Sequence, residues 1–227
     1  MKRPVLVILT AVFFSLISGG MLYAQETADS FFNRVSQRYE SIEDYKADLV
    51  ITKGETVQKA VVWYKNPNLL RLDFSDPEDM VLDVDGETLQ VWVPEYSVTF
   101  SQKLRSGGQG QMTSLASSSG LELIKKYYTI SYDPVPSQVP LDSDSSEMVV
   151  KLKATWKSSN EGFKRLQLCI DQDLLIRRIS GITTDGEEVV FDFTNIEINN
   201  GIPETKFDYE SPPSGNTIEN FLFDPES

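Results

Sequence analysis

The sequence predicts a mainly β protein, built as a curved antiparallel sheet of about eleven strands with an N-terminal helix and a second, short helix in mid-chain. Three observations predict it. Apolar and polar residues alternate through most of the chain, which is the period of a half-buried strand. Turn signals such as Lys53-Gly54, Asp85-Gly86, Asn160-Glu161-Gly162 and Asp185-Gly186 part many of the alternating runs at short intervals, as hairpins require. Helical spacing is confined to two places, so a meander closing into a curved sheet or barrel fits better than a layered α/β fold.

In chain order, residues 1–24 come first. A basic start (Lys2, Arg3), an apolar centre from Val5 to Ile17 and a small residue, Ala24, have the build of a secretory signal peptide. An uncleaved membrane anchor is the alternative; the Ser18-Gly19-Gly20 break favours cleavage. Residues 25–227 then form a single domain, large enough to bury a core. Phe31, Phe32, Val35, Tyr39 and Ile42 fall close to helical spacing and predict an amphipathic helix over Thr27–Ser41.

Strands are expected at Ala47–Thr52, Val57–Lys65, Leu69–Phe74, Met80–Val84, Thr88–Val93 and Ser97–Gln102. A second series follows at Tyr127–Tyr132, Met148–Trp156, Phe163–Ile170, Leu175–Ile182 and Glu188–Ile198. The run "VVWYKNPNLLRLDF" is a hairpin rather than one strand, because Pro67 cannot donate to a ladder and Asn66-Pro67-Asn68 is a turn signal. Between the two series, Arg105–Tyr128 is Gly- and Ser-rich and turns helical at Leu121–Lys126. It is either a lid or a crossing loop without fixed structure.

Composition excludes several functions. The formal charge of −13 becomes −15 once residues 1–24 leave, since they hold Lys2 and Arg3 and no acid. Such a protein is repelled by nucleic acid and by anionic lipid surfaces. The chain has no His, which removes His-based triads and imidazole bases. Cys169 is single and reads as a small buried hydrophobe. Asp142, Asp144 and Glu147 lack the Gly and distal Glu of a calcium loop, and "GGQG" lacks the Lys of a phosphate loop. Neither an enzyme nor a cofactor or metal protein is expected.

Alternation assigns faces. Leu70, Leu72 and Phe74 share one side of their strand, opposite Arg71 and Asp73; Met80, Leu82 and Val84 repeat this, as do Val98 with Phe100 and Leu166 with Leu168 and Ile170. Two helices are thin cover for so wide an apolar face. The side chains either fill a closing barrel themselves or leave a cavity for an apolar ligand.

Three stretches carry a resemblance. "VVWYKNPNLLRLDF", then "VLDVDGETLQVWVPEYS", and much later "DGEEVVFDFTNIEINNGIPETKFDYESPPSGNTI" resemble the bacterial outer-membrane lipoprotein carrier (LolA-like) family, from about Phe31 to Ile218. The resemblance implies a half-open antiparallel barrel with a helical lid over a cavity for lipoprotein acyl chains. It implies a periplasmic monomer loaded by an inner-membrane ABC transporter and unloaded by an outer-membrane acceptor. A lipid- or lipoprotein-binding sensor of the same fold that does not shuttle is the alternative.

The cavity would be lined by Leu70, Leu72, Phe74, Met80, Leu82, Trp92, Val98 and Phe100, with Leu115, Leu121 and Ile124 in the lid. The family usually has an Arg directly before the turn Pro, where it latches the lid; here Asn66 stands there, flanked by Lys65, with Arg71 beyond the turn. Lys lacks the planar donor fork of Arg.

Overall fold

The computed structural model describes residues 25–104, 116–159 and 162–222. The expected signal peptide, lid residue Leu115 and most of the Asn160-Glu161-Gly162 turn lie outside them.

Helix α1 spans Ala28–Glu40; its N-cap Thr27 accepts the Ser30 N–H and satisfies one free donor of the first turn. Six strands follow: β1 Asp44–Lys53, β2 Thr56–Lys65, β3 Leu69–Asp76, β4 Glu78–Val84, β5 Thr88–Val93 and β6 Val98–Lys103. Helix α2, Ser118–Tyr127, is N-capped by Ser117 through the Gly120 N–H. Then come β7 Tyr128–Tyr132, β8 Val139–Pro140, β9 Met148–Trp156, β10 Phe163–Ile170, β11 Ile176–Thr183, β12 Glu188–Ile198 and β13 Asn216–Glu219.

All eleven expected strands form, most within a residue or two of their predicted ends; β1 starts three residues early. The corrections are two short strands that alternation did not mark: β8, of two residues, and β13, which pairs with β6 in parallel.

The strands make one sheet in the order β13-β6-β5-β4-β3-β2-β1-β12-β11-β10-β9-β7, with β8 beside β9. It is an open curved sheet, not a closed barrel. β6 and β7 lie near opposite ends of this order, and α2 stands between them in the chain.

α1 and α2 pack on one face, called inner here. Phe31, Phe32, Val35 and Tyr39 from α1 and Leu121 and Ile124 from α2 join one core with Leu152, Leu168, Ile176 and Ile179 from β9–β11. The Tyr39 hydroxyl, buried here, accepts the Ile176 N–H at 3.0 Å; that burial raises its pKa well above the usual phenol range. Cys169 is buried on the other face, and burial pushes its thiol up to about 11, which leaves it an inert thiol.

The outer face of β2–β6 is crossed by the segment between β12 and β13. The buried Asp44 carboxylate anchors its start, accepting N–H groups of Asn200, Gly201 and Ile202 at 2.9–3.1 Å. Further on, Lys206 pairs with Asp73 at 2.7 Å and lies over the Trp63 ring. Burial works to raise the Asp73 carboxyl, but the hydrogen bonds from Lys206 and Arg71 outweigh it and hold it below the usual range.

Candidate functional site

Strand register sorts the inner face of β1–β6 into three rows running across the sheet. The first is Tyr45, Tyr64, Leu70, Val84, Leu89 and Gln102, buried from end to end. The second is Ala47, Val62, Leu72, Leu82, Val91 and Phe100. Here the first three are buried, Leu72 being 8% exposed, while Leu82, Val91 and Phe100 are only half-buried. The third row repeats the change: Leu49, Ala60 and Phe74 are buried, and Met80, Val93 and Val98 are half-buried.

The apolar inner face therefore opens at β4. Met80, Leu82, Val91, Val93, Val98 and Phe100 form a continuous strip that water reaches, bordered by the sealed first row. A contiguous apolar patch of this kind is a candidate binding surface.

Of the residues expected to line a cavity, Met80, Leu82, Val98 and Phe100 lie in this strip. Leu70, Leu72 and Phe74 are on the same face but are packed into the core beside it. Trp92 is displaced: Leu82 pairs with Val91, so Trp92 points to the outer face. There it is buried under Gly215, where a Cβ would come within 2.6 Å of the Trp92 ring. Val91 and Val93 take the inner positions instead. "VWV" is apolar on both faces, so alternation in the sequence does not choose between them.

The expected lid residues Leu121 and Ile124 are the buried face of α2. The latch is a second correction. Lys65 and Arg71 have outer-face parity and cannot reach α2. They hold the C-terminal segment instead: Lys65 Nζ donates to the Ile202 carbonyl at 2.8 Å and Arg71 Nη1 to the Lys206 carbonyl at 3.3 Å, with its guanidinium over the Tyr209 ring. Asn66 gives its backbone N–H to the Glu43 carbonyl.

What grips the chain entering α2 is a residue the sequence did not single out. The Tyr45 hydroxyl donates to the Ala116 carbonyl at 3.0 Å, and its ring sits 5.1 Å from that of Tyr64. Burial raises the Tyr64 phenol, with hydrogen bonding from Ser118 and Ser117 acting the other way. Both tyrosines belong to the sealed first row, so the start of α2 is fastened over β1 and β2, beside the buried part of the sheet.

One charged group is buried behind the strip. Asp83, 2% exposed on the outer face of β4, has its Oδ1 without a hydrogen-bond partner. Burial pushes this carboxyl up to about 7; Arg71 opposes the shift, and Asp85, Asp73 and Asp208 add to it. Among the described residues, no group of three or more Cys, Asp and Glu side chains is gathered as a metal site, and no helix is long and apolar enough to cross a membrane.

Comparison with known proteins bears on the family and the fold. The family model for the outer membrane lipoprotein carrier protein LolA matches residues 51–210. An outer-membrane lipoprotein carrier protein of Haemophilus ducreyi is 27% identical over 201 residues, 86% of each chain. Among solved structures, an uncharacterized conserved protein from Thermus thermophilus shares the fold at 12% identity, with 85% of this chain and 98% of that chain covered and a TM-score of 0.55. A chain of the MucA/MucB complex from Pseudomonas aeruginosa does so at 13% identity, with 81% and 61% covered and a TM-score of 0.50. With the match spanning most of the sheet and the strip inside it, the chain belongs to the outer membrane lipoprotein carrier protein LolA family.

Proposed function

We propose that the protein is a periplasmic carrier that holds the acyl chains of lipoproteins against the inner face of β4–β6 and moves them from the inner to the outer membrane. The observation that carries this reading is the half-buried strip Met80, Leu82, Val91, Val93, Val98 and Phe100, which has no polar side chain and continues a sealed core. A single fatty chain binds a membrane with a constant on the order of 10⁴ M⁻¹, each methylene contributing about 0.8 kcal/mol. Two or three chains escape into water very slowly. A carrier has only to offer burial comparable to that of the bilayer, so that transfer is near balance and an outside energy source sets its direction.

In this reading an inner-membrane ABC transporter loads the strip and an outer-membrane acceptor unloads it. Tyr45 takes the part of the lid latch, releasing Ala116 as hydrocarbon enters. The second reading is a lipid-binding sensor of the same fold. It is favoured by Asn66, which stands before the turn Pro, and by the engagement of Lys65 and Arg71 elsewhere.

The two part in one assay: purified protein is added to inner-membrane vesicles carrying lipoprotein and the ABC transporter, with ATP. A carrier releases the lipoprotein into a soluble complex. Retention of lipid by the protein without any release would favour the sensor and overturn shuttling.

A further inference from the structure

The C-terminal end of the described chain returns to the strip. After Gly215 packs on Trp92, the Asn216 N–H bonds the Ser97 carbonyl and β13 runs along β6, with Ile218 beside Phe100 on the inner face. The strand stops at Asn220, whose φ of 53° lies in the left-handed region and turns the chain. Its N–H bonds the Ser101 carbonyl at 2.7 Å, and the Leu222 N–H then bonds Oε1 of Gln102, a fully buried side chain of the first row, at 2.9 Å. Between these two bonds Phe221 is laid on Phe100, ring centroids 5.4 Å apart and tilted by 56°.

The contact is loose. Ile218, Phe221 and Leu222 remain 44%, 37% and 59% exposed. Three large apolar side chains thus gather at the Phe100 end of an apolar strip and bury little of themselves there. A buried glutamine reaching for a backbone N–H fixes where the turn sits without sealing it.

We propose that the Phe221–Leu222 turn is an internal stand-in for hydrocarbon, covering the Phe100 end of the strip and leaving it when an acyl chain enters. This rests on the acyl-chain reading of the strip. Displacement gives up one aromatic contact and one hydrogen bond, so the turn lowers affinity for hydrocarbon modestly.

The test uses the full chain and a neutral apolar dye, N-phenyl-1-naphthylamine, with binding read by its fluorescence. Replacing Phe221→Ser together with Leu222→Ser should tighten dye binding about three- to tenfold, the size of one aromatic contact. Val57→Ser, at an exposed hairpin position far along the chain, should leave it unchanged. In the wild-type protein, saturating dye should speed hydrogen exchange at the Leu222 amide as its bond to Gln102 breaks. Equal or weaker binding by the double variant, or unchanged exchange at Leu222, overturns the proposal. Failure of both proteins to bind dye overturns the acyl-chain reading itself and the stand-in with it.

Discussion

The two halves of the sheet share one pattern of alternation and end in opposite states. In β9–β11 the inner side chains Leu152, Leu168, Ile170, Ile176 and Ile179 are at most 1% exposed, sealed by α1 and α2, while Lys153, Arg165, Gln167 and Ser180 face out. In β4–β6 the inner apolar side chains beyond the sealed first row are half-buried, and the outer face is covered by the C-terminal segment. The difference teaches that alternation fixes which face is apolar, whereas cover decides whether that face becomes core or site. The covered back is also tied down. Asp44, Lys65, Arg71 and Asp73 pin the segment to β1–β3, and Ser211 with Gln90 and Gly215 against Trp92 continue it over β5.

The sharpest way to break this comparison is to make the same truncation in both halves. Leu168→Ala should cost about 2–5 kcal/mol in urea unfolding, because a packed site leaves a cavity. Leu82→Ala should cost about 1 kcal/mol or less, since its side chain is already half in water. Equal costs would mean that the β4–β6 face is core and not a site.

A smaller effect probes the covered back. Burial pushes the Asp83 carboxyl up to about 7 from its ordinary 3.8, so the folded state binds the extra proton between those values. The stability that Asp83 contributes therefore falls as pH rises from about 4 to about 7, and the loss remains above 7. Asp83→Asn should flatten that fall and stabilise the protein at pH 8 by about 2 kcal/mol, within the bound set by the shift. Thermal unfolding from pH 4 to 8 checks it. Parallel curves for the two proteins would show that water reaches Asp83 and that the back is not sealed.

Much of this was legible in the sequence and some was not, for physical reasons. The strands and both helices followed from period and turn chemistry. The faces of Leu70, Leu82 and Phe100 followed from alternation. Trp92 was misassigned because Val91, Trp92 and Val93 are apolar in succession, and only the pairing with Val81 and Leu82 settles which points in. β13 gave no signal, being four exposed residues whose pairing depends on where the preceding segment lays them. The roles of Lys65 and Arg71 depended on the path of residues 199–215, which no local pattern contains. Tyr45 looked like an ordinary strand tyrosine, and its bond to Ala116 joins residues 71 positions apart.

In the proposed function the front of β4–β6 is left open for hydrocarbon. This is tested most directly by native mass spectrometry of the protein recovered from its own cells, wild type beside Leu82→Glu. The wild type should carry acylated species, and the variant should be bare while melting at a similar temperature. A bare wild type, or a variant laden equally with the wild type, would contradict the account.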